Sequence, residues 1–244
     1  MDLGIAGRRA AVAAATAGLG YASAAALVAE GAEVTICGSD EGRARAAAER
    51  LGARHLVADL TRPDEATRFV QAAAELMGGL DILVTNGPGP APGTALDTPA
   101  QAYPAALERS LLAVVHMCLA AVPGMRAAGW GRIVAITSLG VRQPYPDLVL
   151  STTARAGATG FLRTLAREVA ADGVTVNSVQ PGYHATARAR ATMGEHPDLD
   201  GVPARRMGAA GDFGAVVAFL CSAQANYLTG AAVPVDGGAY QGLL

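Results

Sequence analysis

The sequence contains no lysine. All 19 of its basic residues are arginines, so no side chain supplies an ammonium that titrates within reach of neutral pH, which excludes chemistry built on a lysine amine. A GC-rich coding bias accounts for this together with the alanine excess, and the chemical consequence holds whatever the cause. Aromatic residues are scarce as well, at 5% against 51% hydrophobic residues overall, which predicts a core of Ala, Val and Leu with few rings. The three cysteines, Cys37, Cys118 and Cys221, are far apart, with no CxxC pair and no histidine at metal-ligand spacing. That argues against a disulfide framework and a bound metal and for small core residues in a reducing compartment. A formal charge of -2 offers no basic footprint for nucleic acid or a membrane surface. The opening DLGIAGRRAAV lacks the charged region and cleavage site of a signal peptide, and no uninterrupted apolar run reaches about 18 residues. The expectation is a cytoplasmic protein with no membrane or nucleic-acid partner and a small-molecule substrate.

What the chain does contain is a regular alternation of short apolar runs and longer helical patterns. Strands are predicted over 9–15, 33–38, 55–59, 80–86, 132–137, 174–179 and 231–236. Helices are predicted over 20–31, 41–52, 63–78, 98–128, 152–172 and 212–222. Buried, non-alternating strands separated by helices imply a parallel sheet covered on both faces. The fold class is therefore α/β, a Rossmann-type doubly wound sheet of about seven strands, with ligands expected outside the strands' carboxyl ends. No linker, repeat or low-complexity segment divides residues 1–244, which read as a single domain.

After the first strand comes AAATAGLG (13–20). Gly18 and Gly20 permit close backbone approach to a pyrophosphate at a helix N-terminus, and Thr16 adds a hydroxyl. A tight turn without a ligand is equally consistent with those glycines alone. Further along, ADL (58–60), TNGPG (85–89), NSVQPG (177–182) followed by Thr186, and YLTGAAVPVDGG (227–238) appear in order.

Together these segments resemble the short-chain dehydrogenase/reductase family over essentially the full length, most closely a divergent 3-oxoacyl-reductase-like branch. The family's first turn is TGxxxGxG; here Ala13 and Ala14 replace the Thr-Gly pair. The resemblance implies binding of NAD or NADP through Thr16, Gly18, Leu19, Gly20, Ser39, Asp59, Leu60, Asn86, Gly87, Arg155, Pro181, Gly182 and Thr186. Cofactor choice is poorly signalled. The arginine that NADP-binding members tend to carry near Ser39 is missing, and so is the Asp of NAD-binding members near Gly38. Arg43 is placed to reach a 2′-phosphate but reads more simply as a solvated helix residue.

The family's catalytic Asn, Ser, Tyr and Lys fall on Ser110, Ser138, Ser151 and Arg155, so one of the four residue types is retained. A serine hydroxyl is too weak an acid to replace the phenol, and arginine does not shuttle a proton at neutral pH. Tyr145 on the loop before Ser151 and His184 in PGYHAT are the nearby groups with acid/base chemistry, each with the plainer alternative of a packed or solvent-facing loop residue. Residues 187–206, polar and interrupted by Pro and Gly, occupy the family's substrate-loop position and read as a lid, with Arg188, Arg190, Arg205 and Arg206 placed to meet an anion. The stiff, small GPGPAPG (87–93) lines the opposite rim. Two functional readings stand. One is an atypical oxidoreductase moving hydride between NAD(P) and a carbonyl or alcohol. The other is a non-redox protein on the same scaffold: a lyase, isomerase, cyclase or binding subunit. The apolar stretches 111–122 and 158–166 suggest a homodimer or homotetramer.

Overall fold

The computed structural model describes residues 2–194 and 197–243. Runs rich in Val, Ile and Ala, apolar on both faces, form the central strands: β1 (Arg9–Val12), β4 (Ile82–Thr85), β5 (Gly131–Ile136) and β6 (Val174–Pro181), all almost wholly buried. β2 (Glu33–Gly38) joins them, while β3 (Arg54–Val57) and β7 (Ala232–Val235) form the more exposed edges. The seven strands lie in the order β3-β2-β1-β4-β5-β6-β7, and every pairing is parallel. Order reverses between β1 and β4, which places a ligand crevice at their carboxyl ends.

Helices cover both faces. On one, α3 (Pro63–Met77), α5 (Ala113–Ala127) and α6 (Val149–Val169) bury Phe69, Met117, Met125, Leu162 and Leu165 against the sheet. On the other, α1 (Gly18–Ala29), α2 (Glu41–Leu51) and α8 (Ala210–Leu220) bury Leu27, Leu51, Phe213 and Val217. The three cysteine thiols are buried and free, and burial pushes each up to about 12, so they are inert core groups.

Two differences between the predicted and the observed elements bear on the site. The first strand ends at Val12, because Ala13–Ala15 already turn and Ala14 adopts φ 46. The single helix expected over 98–128 is segmented into a 3₁₀ turn (Ala100–Ala102), α4 (Tyr103–Leu107), a π-helical turn (Glu108–Leu112) and α5. Such π turns accommodate an extra residue in the helical ladder and often mark functional sites; this one carries Ser110. The run 100–127 is long and apolar enough to cross a membrane by length and composition alone, and here α5 packs between α3 and α6.

At the amino end of the sheet, Asp81 is 3% exposed and ties down two arginines. Arg9 Nε and Nη2 donate to it at 2.7 and 2.9 Å, the Arg9 backbone N–H at 2.9 Å, and Arg8 Nη1 at 3.4 Å. Burial raises the Asp81 carboxyl, but the Arg9 hydrogen bonds and the charges of Arg9 and Arg8 together hold it below the ordinary carboxylate value. Asp81→Asn is expected to lower stability by about 2–3 kcal/mol at pH 7, below the range for breaking a fully buried pair, because the Arg9 side chain is 30% exposed. Since the folded carboxyl lies below an unfolded value of about 3.9, this contribution is complete above that value and disappears as pH falls through the folded one. Denaturant unfolding of both proteins should therefore diverge at pH 7 and converge in strong acid. Equal stability at pH 7 would contradict the assignment.

Candidate functional site

Three turns meet at the carboxyl end of the sheet. The turn after β1 presents the Ala14 carbonyl to Asn86 Nδ2, on the turn after β4, at 3.2 Å. Gly20 seals this junction: a Cβ there would lie 2.7 Å from both the Ala14 oxygen and Asn86 Nδ2. The third turn, after β6, brings Thr186 over the first, its Cγ2 3.8 Å from where a Gly18 Cβ would stand. α1 starts here with Ala17 at its N-cap, no side-chain cap and no acid in its first turn. By contrast, Asp40 caps α2 through the Arg43 N–H, and acids occupy the first turns of α2 and α3. A helix start with unpaired N–H groups and an uncompensated dipole suits an anion. Ala14 holds a left-handed conformation that costs a non-glycine residue about 1–2 kcal/mol, at a position where the resemblance has glycine.

The other site residues implied by the resemblance are arranged unevenly around this junction. Thr16 packs its methyl over Gly38, which has no room for a Cβ. Leu19, partly buried, packs against the α1–α8 core, and Leu60 is buried in the opposite one. Ser39 is exposed. The Asp59 carboxylate accepts from Thr61 N at 3.0 Å and Thr61 Oγ1 at 2.8 Å; those hydrogen bonds hold it below its usual range, with Arg62 and Arg109 contributing by charge. Gly87, Pro181 and Gly182 sit at the ends of β4 and β6. Arg43 is exposed and pairs with Asp40, as a solvated helix residue would.

Arg155 turns inward from α6. Its Nη1 donates to Ile136 O at 3.0 Å and Thr137 O at 2.7 Å, the carbonyls at and just past the end of β5. Its Nε is buried without a partner. Burial, followed by the charge of Arg188, lowers its value to about 10, so it remains protonated at neutral pH. Ser110 is 7% exposed and its hydroxyl has no protein partner.

Ser138 caps the short turn after β5, its Oγ accepting from Gly140 N at 3.1 Å, which leaves its own proton free to donate. A Cβ at Gly140 would stand 3.2 Å from Ser138 Oγ, 3.2 Å from Thr152 Oγ1 and 3.3 Å from the Tyr145 ring. Thr152, beside Ser151, is thus a second hydroxyl beside Ser138, buried and without a partner. The sequence reading overlooked it. The signal was available, since Thr152 lies three residues before Arg155 and so shares its helix face. Tyr145 packs on Tyr183 at 6.0 Å between ring centroids. Burial, then Tyr183 and Asp236, push its phenol up to about 12.

His184 is corrected by its surroundings. It is not solvent-facing: it is 5% exposed, edge-on to Phe213 at 5.2 Å, with Nδ1 against Gly182 O and the ring against Gly208. Burial lowers its value, so it is a neutral core residue at pH 7.

The segment expected to be a lid begins with α7 (Ala187–Met193), capped by Thr186; Glu195 and His196 lie outside the described residues. Arg188 reaches across to the Gly89 and Pro90 carbonyls at 3.5 and 3.4 Å, joining the two rims. Arg205 instead pairs with Asp200 and Arg206 with the Met207 carbonyl, so neither is committed to the cleft. The 87–93 loop is tied to the loop before α6 through Gly93 and Leu148.

Two cavities bear on the site. The larger, about 400 Å³, lies between α6 and β6–β7 with Arg142, Arg163 and Asn177 in its wall. The smaller, about 10 Å³, is bounded by Asn86, Arg109, Ser110, Thr137 and Arg155. The smaller one lies between the Asn86 turn, the π turn and Arg155, beside the strand ends where the three turns converge.

A family model described as Enoyl-(Acyl carrier protein) reductase matches residues 13–240. The 3-oxoacyl-(acyl-carrier-protein) reductase FabG of Vibrio cholerae is 32% identical, covering 96% of this chain and 98% of its own. Dehydrogenase/reductase SDR family member 4 of Bos taurus is 30% identical over 93% of this chain and 85% of its own. Among solved structures, L-sorbose reductase from Gluconobacter frateurii, complexed with NADPH and L-sorbose, superposes with a TM-score of 0.90 at 28% identity, covering 100% of both chains. With the fold, the order of its turns and these matches in agreement, the chain belongs to the short-chain dehydrogenase/reductase family, on its 3-oxoacyl-reductase-like side.

Proposed function

We propose that the protein is an NAD(P)-dependent oxidoreductase acting on a carbonyl or alcohol, with an active site that lacks the family's Tyr/Lys pair. The observation that carries this is the convergence of the Gly-rich turn, the Asn86 turn and the Thr186 turn on one crevice, sealed at Gly20. Family membership and the NADPH complex of the sorbose reductase support a dinucleotide as the ligand. The residues present fit one: α1 offers an uncapped start, Gly18 leaves the backbone open, Gly20 lets the Ala14 and Asn86 turns close on each other, and Arg155 and Arg188 bring positive charge. When bound, the nicotinamide ring supplies or accepts the hydride.

The chain's own residues do the rest. Gly18, Thr16 and the start of α1 hold the diphosphate, Asp59 the adenine side, and Gly182 and Thr186 the carboxamide side. Ser138 donates a hydrogen bond from its free hydroxyl to the substrate oxygen. Arg155 holds ribose and contributes charge without exchanging its proton. Tyr145, protonated at neutral pH, donates a hydrogen bond but is poorly matched as a general acid near pH 7, so water reaching the cleft delivers the proton. The non-redox reading is favoured by one observation, the commitment of Arg155 Nη1 to two β5 carbonyls. Calorimetry with NADH and NADPH separates the two. Binding of either, followed by turnover of a carbonyl panel, is expected; absence of binding to both would overturn the redox reading.

We further propose that the protein assembles as a two-fold symmetric dimer or tetramer. Leu112 and Leu119 stand exposed along the α5 side, and Phe219 and Tyr227 near the C-terminus. Light scattering at micromolar concentration is expected to give a multiple of the 24.5 kDa chain mass. A monomer there would refute it.

A further inference from the structure

Several arginines of this chain sit against a carboxylate: Arg8 and Arg9 on Asp81, Arg126 on Asp172, Arg205 on Asp200. Arg142 and Arg163 do not. Both line the cavity of about 400 Å³ between α6 and β6–β7, and no Asp or Glu among the described residues lines it with them. That volume falls within the roughly 300–1,000 Å³ of small-molecule sites. Ser178 and Ala232, paired in its wall, stand three residues before Pro181 and Val235. The cavity therefore lies on the flank of the sheet edge, apart from the crevice at the strand ends.

The two cations are fixed to one short piece of wall. Arg142 Nη2 donates to Ala232 O at 2.8 Å, and Arg163 Nη1 donates to Gly230 O. Two residues of chain span about 7 Å at most, so both guanidinium groups are tied close together. Their anchor is itself held. Asn177 Nδ2 donates to Leu228 O at 2.7 Å, and Asn177 Oδ1 accepts from Ala231 N at 3.0 Å. Gly230 has φ 71, and a Cβ there would lie 2.9 Å from Arg163 Nη1. Arg142 is fixed again by Gln180 Oε1, which accepts from its Nε at 2.8 Å, and by the Tyr240 ring beneath it at 5.3 Å.

A guanidinium carries five N–H donors in a planar fork suited to an oxyanion. The protein uses Nε and Nη2 of Arg142 and Nη1 of Arg163. Arg142 Nη1, Arg163 Nε and Arg163 Nη2 have no protein partner among the described residues. Capping two carbonyls requires only neutral donors. Two full positive charges over a three-residue stretch, in a concavity without an acid, add a field that favours an anion. Leu162, Ala231 and Ala232 give the same cavity an apolar side.

We propose that this cavity binds a small organic oxyanion, a carboxylate or phosphate monoester, with its charged end on Arg142 and Arg163 and its apolar part beside Leu162. The inference is independent of the redox reading, because none of these residues belongs to the nucleotide crevice.

Calorimetric titration of the intact protein with sodium benzoate, sodium phenyl phosphate and neutral benzamide tests this. Saturable binding of one or both oxyanions, and not of benzamide, is expected; which of the two binds more tightly identifies the charged end. Arg163 is exposed, so Arg163→Met should fold as the parent does and bind the oxyanion about ten- to a hundredfold more weakly, as loss of hydrogen bonds from a charged group predicts. Arg163→Lys, which keeps the charge without the fork, should recover part of that loss. Crystals soaked in 4-bromobenzoate should show an anomalous peak in the cavity beside Leu162. No saturable binding of either oxyanion, equal binding of benzamide, unchanged affinity in Arg163→Met or a bromine peak only elsewhere would each overturn the proposal and leave the two arginines as carbonyl caps.

Discussion

Arg155→Ala is expected to lose on two separate measurements. The guanidinium caps two carbonyls at the end of β5, and hydrogen bonds to a charged group are each worth about 1.5–3 kcal/mol. Removing it should destabilise the fold by about 2–4 kcal/mol, read from denaturant midpoints, because the Ile136 and Thr137 carbonyls lose their donor in a partly enclosed site. If the same residue also holds ribose, dinucleotide affinity should fall by about 1.5–3 kcal/mol, which is about ten- to a hundredfold in the dissociation constant. Arg155→Lys separates the effects: one ammonium can reach one carbonyl or the ribose but lacks the planar fork that spans both. It should recover part of the stability and little of the affinity. Unchanged calorimetric binding in Arg155→Ala would remove the ribose role while leaving the structural one intact.

The fold was legible because its signals are local and repeated. Non-alternating apolar runs such as ILVT and GRIVAI have no stable place except a sheet covered on both faces, so β4 and β5 emerged within a residue or two of their observed ends. The segmented helix around Ser110 was not legible, because a π turn leaves the apolar periodicity on either side nearly intact and has no residue signature of its own. Partners distant in sequence were the other blind spot. The sequence places His184 next to a presumed cofactor segment; only the fold reveals that Phe213, 29 positions later, closes over its ring. Thr152 was obscured for a different reason. Thr152 adjoins the aligned position Ser151, and helix geometry puts both on the Arg155 side. Arg188 was recognised as a cation near the site, but its reach across to Gly89 depends on how α7 packs, which charge counting does not convey.

Restoring the family residues in the double variant Ser151→Tyr/Arg155→Lys is expected to leave carbonyl reduction below that of ordinary relatives by about the 10²–10⁴ that a positioned general acid contributes. Around Ser138, Thr152 and the Tyr145 ring already meet at Gly140, so a phenol from Ser151 that is to act beside Ser138 has to displace part of that packing. The lysine introduced at 155 would lie beside two unprotected β5 carbonyls, which attract its ammonium away from both the ribose and the new tyrosine. Ala14, in a left-handed turn, and Ser110, on a π turn with its hydroxyl unpaired, stand where the resemblance has glycine and asparagine. A proton donor must come within about 2.6–3.2 Å of the reacting oxygen, and two substitutions do not rebuild that wall. The double variant, Thr152→Val and Tyr145→Phe should each be assayed against a carbonyl panel with both dinucleotides. Loss in Thr152→Val or Tyr145→Phe together with silence in the double variant is the expected pattern. Robust reduction appearing only in the double variant would instead identify the natural chain as an ordinary reductase that has lost its acid, its pocket otherwise intact.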